Sequence, residues 1–227
     1  MDYYWISYGL MFISLIITLG AQGYINSSYG KYKKVKNTKG LSGFEAARKI
    51  LDENGLKDMY VVETQGFLSD HYDPTQKVVR LSKDIFHGES IAAVSVAAHE
   101  CGHAIQDKEG YTFMRIRSSL VPFVNFSSYA GYLAILVGAF TGMLNIIWFG
   151  IALEVVILAF QLVTLPVEID ASKRGLKEIE KWSLLEAKEQ KNAKTMLTAA
   201  ALTYVASVAT TVIEILRLIL IFGRRED

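Results

Sequence analysis

Charged residues fall in clusters along this chain, and three long stretches carry none: Tyr3 to Gly30, Ser118 to Leu153 and Thr195 to Ile213. A helix that crosses a bilayer needs roughly 20 mainly apolar residues. The gaps therefore predict four spans, at about 4–24, 119–141, 145–167 and 196–222. The competing reading, buried helices of a soluble all-α protein, fits less well, because such helices are seldom so long and so free of charge.

Between the first two spans lies a charged region, Ile25 to Arg117. In Leu41 to Leu56, Ser42 stands three residues before Glu45, the spacing of a capping box. Phe44, Ala47, Ile50 and Leu51 then form an amphipathic stripe, and Gly55 ends the predicted helix. Met59 to Lys83 holds two β-rich runs with Asp73-Pro74 between them, which predicts a β-hairpin or small meander. Ser90 to Gln106 reads as a strong helix.

Composition adds little to this picture. Hydrophobic residues are 51%, charged residues 21%, and the net charge is +1. No basic patch alternates with aromatics, so no nucleic-acid partner is expected. A single cysteine, Cys101, excludes an internal disulfide; a small packed side chain is its expected role. The start lacks the basic region of a secretory signal, so Tyr3 to Tyr24 reads as a retained anchor. The placement of basic residues says more. Lys31 to Lys39 follows the first span, and Ser172 to Lys194 holds seven lysines and arginines. The positive-inside rule then puts the N-terminus outside and both charged segments in the cytosol. Four spans would return the Arg224–Asp227 end to the outside, where its two arginines are balanced by two acids.

Candidate chemistry sits in "VAAHECGHAIQ" (Val96 to Gln106). His99 and His103 are four apart, so a helix projects them from one face, one turn apart. Two imidazoles so placed can hold one metal ion, with Glu100 beside them as general base. This is the H-E-x-x-H pattern of zinc hydrolases. Zinc acidifies a bound water and polarises a carbonyl, and the glutamate takes the proton and can pass it to the leaving amine. The alternative is a solvated helix with two unrelated histidines. The small residues Ala97, Ala98, Gly102 and Ala104 argue instead for close packing, where buried histidines need partners.

A catalytic zinc site ordinarily has three protein ligands. His71, His87, Glu154, Glu168 and Asp170 are the candidates for the third. Glu168 follows Pro166 at the cytosolic end of the third span, on the same side as the His99 helix. A carboxylate at that border is costly without a partner; the alternative is a residue that merely marks the interface. Asp170 or Ser172 could orient a histidine.

The motifs "GFLSDHYDP", "VRLS", "AAHECGHAIQ" and "LPVEIDAS", in this order between membrane spans, resemble the YugP-like neutral zinc metallopeptidases, which are bacterial membrane proteins. More distantly the layout is similar to HtpX-like membrane proteases. The resemblance implies proteolysis, Zn2+ held by His99, His103 and Glu168, and Glu100 as catalytic base. HtpX-like enzymes commonly carry an aspartate four residues after the ligand glutamate, and here that position is Ser172. Two further expectations concern substrate. Lys77 to Ser82 is a candidate strand edge for an extended peptide, with an ordinary sheet strand as the alternative. His71 or Tyr72 could donate to an oxyanion, or "SDHYDP" could be turn chemistry alone.

Charges inside the spans should pair, so Arg217 is expected to bind Glu154, Glu214 or both and tie the last two helices together. The whole reads as a mainly α membrane protein. Four transmembrane helices carry a cytosolic zincin-like, gluzincin-type catalytic part with a small β-hairpin or sheet. The expected division is an anchor at 1–24, a catalytic part at 25–117, a transmembrane hairpin at 118–167, a cytosolic segment with the third ligand at 168–195 and a last span at 196–227. The expected function is zinc endopeptidase in the cytoplasmic membrane, acting on peptides or membrane proteins in quality control or processing, in contact with lipid and with partner membrane proteins left open. The rival is a non-enzymatic membrane adaptor braced by structural zinc, with His71, His87 or Asp170 as fourth ligand.

Overall fold

The computed structural model describes residues 2–66 and 68–223. The chain runs α1 (Asp2–Tyr32), α2 (Gly43–Glu53), β1 (Tyr60–Thr64), β2 (His71–Asp73), β3 (Val78–Ser82), α3 (Lys83–Phe86), α4 (Ile91–Lys108), α5 (Thr112–Thr141), α6 (Leu144–Lys181) and α7 (Ala187–Phe222). Four of these helices, α1, α5, α6 and α7, are long and apolar enough to cross a membrane. All four extend past the spans read from hydropathy, because their charged continuations are as helical as their apolar parts. The tail at 224–227, which sat awkwardly with the expected topology, lies outside the described residues.

Two compact units emerge, one from Met1–Gln22, Arg115–Leu165 and Leu202–Asp227, the other from Gly23–Met114 and Pro166–Ala201. In the first, Gly142 takes φ +74° and turns α5 into α6, a backbone that glycine adopts without strain. The two helices then approach closely. A Cβ on Gly138 would lie 2.6 Å from Ile147 Cγ1, and one on Gly150 would lie 2.9 Å from the Gly131 carbonyl. Such small-residue contacts let membrane helices pack where no hydrophobic effect drives them together. Ile147 and Ile151 of α6 meet Ile215, Leu218 and Phe222 of α7 in a buried cluster.

Arg217 is paired with Glu214, one of its two expected partners, but the pair does not tie two helices together. Its guanidinium grips both oxygens of Glu214, with Nε 2.8 Å from Oε2, one turn away on the same helix. Spacing of three along a helix brings the two side chains together without a second helix, so the pair neutralises charge and does not tie α7 to Glu154. Arg217→Leu is expected to strand Glu214 and lower the yield of folded protein, with zinc per folded chain unchanged. Normal yield with zinc lost would refute this structural role.

The second unit holds the sheet and the short helices. Helix α2 starts on the foreseen capping box: Ser42 accepts from Glu45 N, and Glu45 accepts from Ser42 N. It ends where Gly55, at φ +68°, donates to Asp52 O while Leu56 donates to Leu51 O, the paired bonds of a Schellman end. Ala46, Ala47, Ile50 and Leu51 of α2 bury against the alanine-rich α4 and share a core with Val79, Leu81, Ile85, Val167 and Ile179.

The sheet contains the expected hairpin at Asp73-Pro74, with one short arm, and adds a parallel strand to it. Its order is β1-β3-β2, with β1 parallel and β2 antiparallel to β3. Only three residues, His71–Asp73, pair back across the Asp73-Pro74 turn, and the first β-rich run lies on the far side of β3. The turn is built as its residues suggest: Asp73 Oδ1 accepts from Thr75 N and Gln76 N. Those bonds, the one from Gln76 foremost, hold the Asp73 carboxyl below its ordinary pKa. Lys77 to Ser82 is therefore not an edge. Strand β3 is central and buried on both faces, β1 pairs along all of it, and Ser82 N donates to Asp70 Oδ1 at 2.7 Å.

Candidate metal centre

Helix α4 is capped by Ser90, whose hydroxyl accepts from Ala93 N at 3.1 Å. From there Ala92, Ala93, Ala97, Ala98 and Ala104 are fully buried. The small side chains let the helix sit deep in the unit and against α6. A Cβ on Gly102 would fall 2.3 Å from the Ala171 carbonyl, and one on Gly175 would fall 2.7 Å from the Ala98 carbonyl. Backbones thus touch on both sides of the contact, and this brings Glu168 of α6 to the His99–His103 face of α4.

His99 and His103 stack edge to face with ring centroids 4.8 Å apart. Their Nε2 atoms lie 3.3 and 3.5 Å from Glu168 Oε2. One ligand atom from each of the three residues can be chosen so that all lie within 4.8 Å of one another. Zinc bonds of about 2.0–2.2 Å in a tetrahedron put neighbouring ligand atoms roughly 3.3 Å apart. The imidazole-to-carboxylate spacings match that edge, and the donor set, two nitrogens and one carboxylate, suits zinc. His103 and Glu168 are buried, at 7% and 4% exposure, and His99 is half-buried.

The far ring nitrogens are held as well. His99 Nδ1 lies 3.1 Å from Ser172 Oγ, and His103 Nδ1 lies 3.0 Å from Gln106 Oε1. Ser172 stands where the HtpX-like pattern has an aspartate, and its hydroxyl takes up the contact with the imidazole. Asp170 does not touch a histidine; it accepts from Gln106 Nε2 at 2.9 Å and pairs with Arg174, which reaches on to Glu109. Burial works against a charged His103, but the bond to Glu168, the nearby charge of Glu100 and the bond to Gln106 outweigh it, so its pKa is raised. Glu100 is itself buried on α4.

The other expected residues are placed elsewhere. His71 is exposed and its Nδ1 lies 2.8 Å from Ser69 O. Tyr72 donates its hydroxyl to Asp107 at 2.6 Å. His87 meets Glu63 at 2.6 Å on the surface. Neither His71, His87 nor Asp170 belongs to the cluster, which among the described residues has three members. Cys101 faces the core with its Sγ 3.6 Å from Ala47 O, and burial pushes its thiol pKa far up, as suits a packed, unreactive side chain. Gln106 was missed. Its only signal in the sequence is a glutamine three residues after the second histidine, on the same helix.

Helices fit to cross a membrane, together with an H-E-x-x-H helix whose two histidines meet a glutamate of α6, are features of a membrane metallohydrolase. The family described as "Putative neutral zinc metallopeptidase" matches residues 7–223, and the chain belongs to it. A curated relative, "Putative membrane protease YugP" of Bacillus subtilis (strain 168), is 44% identical over 220 residues, 96% of this chain and 98% of the relative. No solved structure matches the chain.

Proposed function

We propose that this protein is a zinc endopeptidase of the cytoplasmic membrane that cleaves peptide bonds on the cytosolic side. His99, His103 and Glu168 would hold the metal. The observation that carries this is the 3.3 and 3.5 Å spacing of the two Nε2 atoms from Glu168 Oε2, the edge of a zinc tetrahedron with one position left for water. When bound, zinc supplies Lewis acidity and lowers the pKa of water to near neutral. Glu100 takes the proton of the attacking water and delivers it to the departing amine. Ser172 orients His99. The burial of His103 and Glu168 strengthens their part in these interactions. The cytosolic placement rests on charge: Lys31 to Lys39 and Ser172 to Lys194 both belong to the unit that carries the cluster. Membrane proteins in quality control or processing are the substrates this setting suits.

Purified protein is expected to contain one zinc per chain and to cleave an unstructured protein such as casein. Chelation should stop cleavage and added zinc should restore it. Full zinc without cleavage of casein or of detergent-solubilised membrane proteins would favour a structural zinc brace instead.

A further inference from the structure

Gln106 is fully buried, at 0% exposure, on α4. A buried amide is costly unless every polar atom is partnered. Here every one is. Nε2 donates both protons, to Val167 O at 2.8 Å and to Asp170 Oδ2 at 2.9 Å. Those two partners are acceptors only, which fixes which end of the amide is nitrogen. Oε1 must then face His103 Nδ1 at 3.0 Å. An amide oxygen cannot donate, so the bond requires the proton on Nδ1. A neutral ring with its proton on Nδ1 has its lone pair on Nε2, the atom that points to Glu168.

The second half of the contact matters as much. Val167 O is the carbonyl of the peptide group that joins Val167 to Glu168. One side chain therefore holds His103 by its ring and Glu168 by its backbone. The amide is itself anchored through Asp170, whose carboxylate is fixed by Arg174. Ser172 at His99 does neither thing: its hydroxyl can donate or accept, so it orients the ring without choosing its tautomer.

From these contacts we propose that Gln106 is a positioning residue that presets the His103 tautomer and the spacing between His103 and Glu168, and so sets the affinity of the zinc site. This rests on the reading of His99, His103 and Glu168 as ligands. Loss of an outer partner of a metal-bound histidine typically weakens binding about 10–100-fold. Gln106→Met, which keeps length and bulk but has no acceptor, is expected to weaken zinc binding within that range. Ser172→Ala is expected to weaken it by less than about tenfold, because the tautomer at His99 is not imposed by the hydroxyl.

Zinc affinity is read by competition with a chromophoric chelator. The absorption bands of the cobalt-loaded protein report the ligand geometry independently of turnover. Wild type that binds no zinc removes the ligand reading and this proposal with it. Wild-type binding with unchanged affinity and cobalt spectrum in Gln106→Met overturns the positioning role alone. Should that variant fail to fold, nitrogen NMR of histidine-labelled wild type, freed of metal and at a pH where the ring is neutral, decides. A proton on Nδ1 of His103 supports the proposal, and a proton on Nε2 overturns it.

Discussion

Glu100→Gln is expected to cut peptide-bond cleavage by about 10²–10⁴-fold while zinc stays bound at one per chain. The substitution keeps size and shape, so the buried position on α4 can accept it. His99, His103 and Glu168 are untouched, and Gln106 and Ser172 still hold the two rings. What is lost is the only chemical property that matters in the proposed role: an amide oxygen is far too weak a base to take a proton from water. Because the effect falls on a proton transfer made in the transition state, kcat should drop and KM should change little. The informative result is the pairing of two measurements, zinc content and turnover. Cleavage at the wild-type rate in zinc-loaded Glu100→Gln would reject the glutamate as base, whatever the metal does. Loss of zinc together with activity would mean instead that Glu100 helps to build the site.

Much of this site was legible because its chemistry follows local periodicity. His99 and His103 share a face because a helix has 3.6 residues per turn, and no tertiary knowledge is needed to see it. Glu168 could be picked out because a carboxylate at the end of an apolar run is expensive and so implies a partner. The capping box at Ser42 and the turn at Asp73 are equally local. What escaped depends on distant packing. Gln106 looks like an ordinary polar residue in a helix until its complete burial is known. The run at Lys77 to Ser82 has two valines and a leucine around Arg80, a pattern compatible with either an edge or a centre. Only the return of β1 beside it makes it the central strand. Arg217 had two carboxylates to choose from, and the nearer in sequence won, since a partner three residues away costs less side-chain ordering than one on another helix.

Gly102→Val is expected to disable the metal site without touching a ligand. A Cβ at position 102 would lie 2.3 Å from the Ala171 oxygen, 3.0 Å from its carbonyl carbon and 3.1 Å from its Cα. All three are backbone atoms of a continuous helix, so no rotamer change can relieve the clash. Either α4 and α6 separate or the helices bend. Overpacking of this kind typically costs about 1–3 kcal/mol, and a branched side chain adds two more methyl groups to be accommodated. The separation has a second consequence. Ala171 follows Glu168 by three residues on α6, and Gly102 precedes His103 on α4. Any gap opened at the contact is therefore passed almost undiminished to the 3.3 and 3.5 Å spacings that define the cluster. Zinc tolerates only a few tenths of an ångström in its bond lengths, so affinity should fall at least about tenfold even in protein that still folds. Gly9→Val on α1 is the control. A Cβ there meets nothing within 4 Å, and neither thermal stability nor zinc content should change. If Gly102→Val bound zinc as tightly as the wild type, close approach of the two helices could not be what brings the carboxylate to the histidines.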